Sequence, residues 1–330
     1  MQRRTFLRAG TVTLAAALPA SLSTRSLAQE SPSLPSGPIR IVVGFSPGGG
    51  TDVMARVAAE KLSALWRTTV MVENRPGAAG VVAAEYVAHQ PADGNTLMMT
   101  NISNHAIAPS LYPKIGYSVE KDFTPIMLVG VTPNLLICRT GGPAKTLAEV
   151  VALCRANPGK ITFGSSGTGA AQHLALEMFK LRAGVDALHV PYRGSGPLLT
   201  DLLGGQIDFS FETMTSATPQ VQGGKAIAIA QTRPHRAGAY PNVPTVAESG
   251  YPGFDAATWY GLVGPARMSV PLVARMNADL NRVMAMPDVV AKLQGFGAED
   301  GGGTSARFAE FITTERVKWA RVVKDANVKV

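Results

Sequence analysis

The sequence predicts an α/β chain of two lobes, each a mostly parallel sheet flanked by helices. Three observations predict it. Short apolar runs alternate with helix-period segments over residues 40–100, and again over 146–230. Between these sets, residues 124–138 form a long extended run broken by Gly130 and Pro133, which reads as a crossing between lobes. After the second set, residues 232–252 carry four prolines (234, 241, 244 and 252) and return the chain. The amphipathic segments at 270–284 and 305–324 then need a sheet to cover, and the first lobe's is the natural one. The first lobe is therefore expected to be discontinuous, 29–128 with 250–330, and the second to span 129–249. The two crossings form a hinge.

Residues 1–28 read as an export signal. Arg3, Arg4 and Arg8 precede an apolar run at 9–20, and Ser26-Leu27-Ala28 offers a small-x-small cleavage site. Arg3-Arg4 followed by Thr5-Phe6-Leu7 fits a twin-arginine signal; an ordinary secretory signal with a fortuitous arginine pair is the alternative. Either places the mature chain in the periplasm. Removing the segment takes away four arginines and no acid, lowering the formal charge from +8 to +4. No block of five Lys or Arg remains, so a nucleic-acid partner is not expected. A mildly positive surface still favours the approach of small anions.

In chain order, the first strand is expected at 40–45, followed by a glycine-rich turn. The next helix carries Met54, Val57, Ala58, Leu62 and Leu65 on one face. A strand follows at 69–72, a helix at 81–89 and a strand at 96–100. Residues 101–117 break the pattern and read as irregular and polar. The second set has helices at 146–157, 171–182 and 197–203, with Leu174, Met178 and Leu181 inward on the middle one. Its strands fall at 160–164, 187–192, 207–211 and 226–230. Residues 257–264, with Trp259 and Tyr260, look extended; these two aromatics belong to the core or to a cleft, with core favoured.

Cys138 ends an apolar run, and Cys154 lies on the apolar face of the next helix with Leu147, Val150 and Val151. In an exported protein the pair is a candidate disulfide. Two buried free thiols are the other reading.

The candidate site rests on two matched loops. Phe45, Ser46, Pro47, Gly48, Gly49 and Thr51 lie between a strand and a helix start, and so do Ser165, Ser166, Thr168 and Gly169. Such turns leave backbone N–H groups unpaired at the positive end of a helix dipole, where an anion binds. Two of them could hold both ends of a small dicarboxylate, with hinge closure burying it. Ser103 sits past a strand's carboxyl end, where ligands bind in open α/β sheets. Asp208 could reach the cleft, or be a solvated strand end. Asp52 would repel a bound anion unless it points away, and it is expected to cap its helix.

Enzyme readings fare worse. Gly50-Thr51-Asp52 offers no phosphate-reaching Lys after the glycines. Gly167-Thr168-Gly169-Ala170-Ala171-Gln172 lacks the third glycine of a dinucleotide fingerprint, and Gly164-Ser165-Ser166-Gly167 has the wrong spacing for a nucleophile elbow. His89, His105, His173, His189 and His235 show no metal-ligand spacing, and His173 is expected in a helix's first turn, hydrogen-bonded locally. No catalytic set, cofactor or metal is expected. A secreted α/β hydrolase or dehydrogenase using the same cleft is the rival reading.

Several segments together resemble the Bug family of periplasmic solute-binding proteins, which serve tripartite tricarboxylate transporters. They are Pro47-Gly48-Gly49-Gly50-Thr51-Asp52, Val72-Glu73-Asn74-Arg75-Pro76-Gly77-Ala78-Ala79-Gly80, Pro91-Ala92-Asp93-Gly94 and Lys121-Asp122-Phe123-Thr124-Pro125-Ile126. The resemblance continues through His189-Val190-Pro191-Tyr192-Arg193-Gly194, Asp201-Leu202-Leu203-Gly204-Gly205-Gln206-Ile207-Asp208 and Val243-Pro244-Thr245-Val246-Ala247-Glu248. It implies a Venus-flytrap fold of type II-like organisation and a ligand carboxylate held by the two loops through backbone groups and water. It also implies the transporter's membrane subunits as partners, and we expect a monomer. Two departures stand out: Glu212 where the family commonly has Asp, and Asn104 and His105 in a segment usually made of small residues.

Overall fold

The computed structural model describes residues 34–329. The expected export signal, residues 1–28, lies outside them.

The first alternation forms as expected. Strand β1 (Ile39–Val43) leads through the glycine turn into helix α1 (Gly50–Trp66), then β2 (Val70–Asn74), α2 (Val81–Ala88) and β3 (Thr96–Asn101). Met54, Val57, Ala58 and Leu62 of α1 are buried, as their spacing requires. Residues 101–117 are irregular only from 112 onward. A π-helical turn (Ser103–Ile107) runs into a short α3 (Ala108–Leu111), and every residue of the turn is buried. The polar side chains there bond one another: Thr100 donates to Asn104 Oδ1 at 2.6 Å.

The extended run divides at Pro133. β4 (Phe123–Thr132) belongs to the first sheet and β5 (Asn134–Arg139) to the second. Then come α4 (Leu147–Ala156), β6 (Thr162–Ser165), α5 (Ala171–Ala183), β7 (Leu188–Pro191), α6 (Ser195–Leu203) and β8 (Phe209–Thr213). Thr146 and Glu149 form a reciprocal capping box that starts α4. Leu174 is buried, but Leu181 is 54% exposed and not inward. The spacing argument carried the apolar stripe one turn too far towards the helix end. Helix α7 (Met214–Gln222) was not expected, because Pro219 interrupts its pattern. β9 (Ala226–Gln231), β10 (Thr258–Pro265), α8 (Val270–Met284), α9 (Pro287–Gly295) and α10 (Ser305–Asp325) complete the chain.

Two five-stranded sheets result, ordered β2-β1-β3-β10-β4 and β7-β6-β8-β5-β9. In each, one strand runs against the rest: β10 is antiparallel to β3 and β4, and β5 to β8 and β9. The two-lobed, mostly parallel α/β fold is therefore the one the alternation predicts. Strand β10 enters the first sheet after the second is complete, and α8 and α10 pack on β4. The near-continuous apolar runs of β1 and β3 reflect burial on both faces.

Cys138 and Cys154 are free thiols in one buried core, not a bridge. Cys138 Sγ is directed at Ala144 O, 3.3 Å away. Burial pushes both thiols above the usual range, Cys154 to about 11.

Candidate functional site

The parallel strands β1, β3, β6 and β8 end at a shared cleft, where α/β sheets place ligands. An inner cavity of about 20 Å³ lies there. Its walls include Phe45, Gly49, Gly50 and Thr51 from the first loop, Asn101 and Ser103 after β3, and Ser166, Ala171 and Gln172 from the second loop and α5. Ser195, Thr213, Thr258 and Tyr260 complete it. Helices α1, α5 and α6 begin at these walls, and Thr213 immediately precedes α7. Neither α1 nor α5 has a side-chain N-cap. Their helix dipoles and first-turn N–H groups suit an anion there, although no Lys or Arg lines the cavity.

The first loop is braced from behind. Gly48 adopts φ +85°, a conformation suited to glycine, and its N–H donates to Asp52 Oδ2 at 3.0 Å. Arg56 donates to both Asp52 oxygens, at 2.9 and 3.0 Å, and Asn74 Nδ2 donates to Oδ1 at 2.9 Å. Burial pushes the Asp52 carboxyl upward, but these hydrogen bonds outweigh it and hold it below the usual range. Asp52 thus does not cap α1; the N-cap is Gly49. Its charge is taken up by Arg56 on the same helix, which answers the repulsion expected from sequence.

The second loop hangs on two imidazoles. His189 Nε2 lies 2.5 Å from Ser165 Oγ, and His173 Nδ1 accepts the Gly169 N–H at 3.1 Å. The rings stack face to face, centroids 3.8 Å apart. Burial and mutual repulsion hold His173 down to about 3; burial, with Lys180 nearby, holds His189 down to about 4. His173 lies in the first turn of α5 and bonds locally, as expected.

Glu212, fully buried at the end of β8, is a hub. Its Oε1 accepts from Gln172 Nε2 (3.2 Å), Ser195 Oγ (2.9 Å), Thr213 N (2.8 Å) and Ser216 Oγ (2.7 Å). Its Oε2 has no hydrogen-bond partner among the described residues, nor do the hydroxyls of Tyr260, Thr132 and Thr215. Tyr260 Oη is pushed above its usual range chiefly by burial.

A second, outer cavity of about 350 Å³ shares Ser166 as a wall. Gly44, Gly77, Ala78, Ala79, Tyr112, Gly167, Thr168, Pro191, Tyr192 and Arg193 form the rest. Three contacts bridge the two sides of the cleft. Ser46 N and Oγ both donate to Arg193 O (3.3 and 2.9 Å), Tyr112 Oη donates to Thr168 O (2.9 Å), and Ala171 N donates to Ser103 Oγ (3.1 Å).

Of the residues singled out in the sequence, Phe45, Gly49, Thr51, Ser103 and Ser166 line the inner cavity, and Ser166 and Thr168 the outer one. Ser46, Pro47, Gly48, Ser165 and Gly169 shape the loops without lining either. Asp208 is not at the cleft. It precedes β8 and accepts from Thr162 N and Oγ1 at 2.8 and 2.7 Å, at the strands' opposite ends. The acid at the cleft end of that strand is Glu212. Sequence reasoning missed Gln172, Ser195, Thr213 and Tyr260 as wall residues. Ser195 follows Gly194 at a helix start and was findable; Thr213 was hidden with α7.

The model of the family described as "Tripartite tricarboxylate transporter family receptor" matches residues 54–328. The chain belongs to this family. Among curated members, Protein BugT of Bordetella pertussis is 35% identical over 297 residues, covering 90% of this chain and 91% of BugT. Two solved structures share the fold closely. MatC from Rhodopseudomonas palustris, solved with bound malate, is 32% identical with TM-score 0.84, covering 88% of this chain and 100% of MatC. R. palustris Rpa4515, solved with adipate, is 32% identical with TM-score 0.87, covering 89% and 99%.

Proposed function

We propose that this receptor captures a small carboxylate between its lobes, closes on it by hinge motion and delivers it to the membrane subunits of a tripartite tricarboxylate transporter. The observation that carries the reading is the inner cavity, walled by the starts of α1, α5 and α6 and by Thr213 ahead of α7, with no cationic side chain. Rigid backbone donors bind an anion at little ordering cost. Malate in MatC and adipate in Rpa4515 support a carboxylate.

The lobes are assigned as 34–132 with 258–329, and 134–257, which moves the expected boundaries to Pro133 and to the start of β10: β4 runs to Thr132 in the first sheet, and Tyr251 and Phe254 pack on Phe179 and Phe211 of the second lobe. The bonds from Ser46, Tyr112 and Ala171 across the cleft are those that opening would break. Phe45, Gly49, Thr51, Ser103 and Ser166 are assigned as ligand contacts, with Ser46, Pro47, Gly48, Ser165, Thr168 and Gly169 shaping the two loops. Family membership and the sequence of residues 1–28 support a periplasmic protein.

A hydrolase would start from Ser165 and His189, a serine–imidazole contact beside the cleft. Ser165 is fully buried and lines neither cavity, which favours the binding reading.

The test is to identify by mass spectrometry the small molecule retained after gentle purification, then to titrate it back by calorimetry. A carboxylate recovered unchanged that raises Tm supports receptor function. Conversion of the bound compound, or no affinity for any carboxylate, sinks it.

A further inference from the structure

The two cavities differ in size and charge. The inner one, at about 20 Å³, has room for a group the size of one or two waters, which a carboxylate head fits and a carbon chain does not. The ligand's body therefore needs the outer cavity of about 350 Å³. Gly44, Gly77, Ala78, Ala79 and Pro191 give that cavity small, weakly polar walls. Two tyrosine hydroxyls on it are already committed: Tyr112 to Thr168 O and Tyr192 to Asp201 Oδ2, at 2.8 Å.

Arg193 is different. It is the single cationic residue among the walls of either cavity. Its carbonyl is fixed by Ser46, so its backbone is held beside the first loop. Its guanidinium makes no hydrogen bond and no ion pair among the described residues, whereas Arg56 and Arg75 nearby are paired with Asp52 and Glu73. Arg193 is exposed at the edge of this otherwise uncharged chamber, and an unpartnered guanidinium there is suited to bidentate recognition of a carboxylate once the side chain turns inward.

We propose that Arg193 reads the far end of the ligand, making the receptor selective for dianions: one carboxylate in the inner cavity, an apolar spacer in the outer, and a second carboxylate on Arg193. This rests on the carboxylate-receptor reading above and names its specificity-determining residue.

The experiment compares adipate with hexanoate, equal in chain length but with one carboxylate instead of two, on wild type, Arg193→Gln and Arg193→Lys by calorimetry. Wild type should favour adipate. In Arg193→Gln, adipate affinity should fall about tenfold and the adipate-to-hexanoate ratio collapse towards one. Arg193→Lys should retain part of that ratio, since it keeps charge but not the fork. The wild-type preference should also shrink with added salt. If wild type binds both ligands and Arg193→Gln leaves the ratio unchanged, the Arg193 assignment is overturned and the receptor reading stands. If wild type binds neither ligand nor any other carboxylate, both fall.

Discussion

Asp52 Oδ2 accepts the Gly48 N–H at 3.0 Å, so the acid at the mouth of the anion site faces its own loop. Replacing Asp52 with Ala removes that brace and the Arg56 pair together. We expect a loss of about 1–3 kcal/mol in urea denaturation. Ligand affinity should also fall, although a like charge has been removed, because the loop is no longer held. A rise in affinity would show that repulsion, not support, is the residue's main effect. The carboxyl's lowered value fixes the pH window. Its stabilisation is full above the unfolded value of 3.8 and disappears as pH falls through the lower folded value.

The glycines of the first loop are not equivalent. A Cβ on Gly50 would run into Tyr260 Oη and lie 2.7 Å from Thr213 Oγ1. A Cβ on Gly49 meets Ser195 Oγ at 3.3 Å, and its φ of −78° suits any residue. Gly50→Ala should therefore cost stability and most of the ligand affinity, whereas Gly49→Ala should keep a cooperative fold and lose less affinity. Equal effects in paired thermal melts and titrations would contradict the packing described here.

The sequence made the architecture legible because both lobes repeat strand, glycine turn and helix with clean periodicity. Pro133 showed the crossing, and the unpartnered amphipathic faces of α8 and α10 showed that the chain returns. The site was half legible. Backbone sites leave a glycine signature, so both loops could be read. What failed depended on three-dimensional direction. Asp208 and Glu212 lie on or beside one strand, and only the cleft's position at its carboxyl end decides between them. Tyr260 looked like core, and it is buried, yet it reaches the cavity wall from an antiparallel strand that alternation alone does not orient.

Three neutral histidines, His105 and His173 buried and His189 half-buried, make the fold acid-sensitive. His105 and His173 are held down to about 3 and His189 to about 4, in each case chiefly by burial. The unfolded chain takes up protons near 6.5 while the folded one does not, so stability declines as pH falls from 6.5 towards 4. The decline is about 1.4 kcal/mol per pH unit for each group once well below 6.5. It levels off below the folded values. His105→Phe suits the aromatic contacts with Phe123 and Tyr117 and should make the stability–pH slope shallower between pH 6 and 4. An unchanged slope in urea midpoints would remove His105 from the account.

Tyr260 offers the sharpest separation of binding from folding. Tyr260 lines the inner cavity, and its hydroxyl is fully buried beside the hydroxyls of Thr132, Thr213 and Thr215 without a well-formed hydrogen bond among the described residues. A buried hydroxyl left unpaired costs about 1–3 kcal/mol, so Tyr260→Phe should leave the ligand-free protein equally stable or more stable. The ring stays, and with it the packing against the first loop. A carboxylate entering the cavity gives that hydroxyl an acceptor, and the variant forfeits the bond, so affinity should fall about tenfold. The readout is opposite in sign for the two measurements: an unchanged or higher melting point without ligand, and a smaller ligand-induced rise. A variant that melts lower yet binds normally would mean that the hydroxyl serves the core and not the ligand.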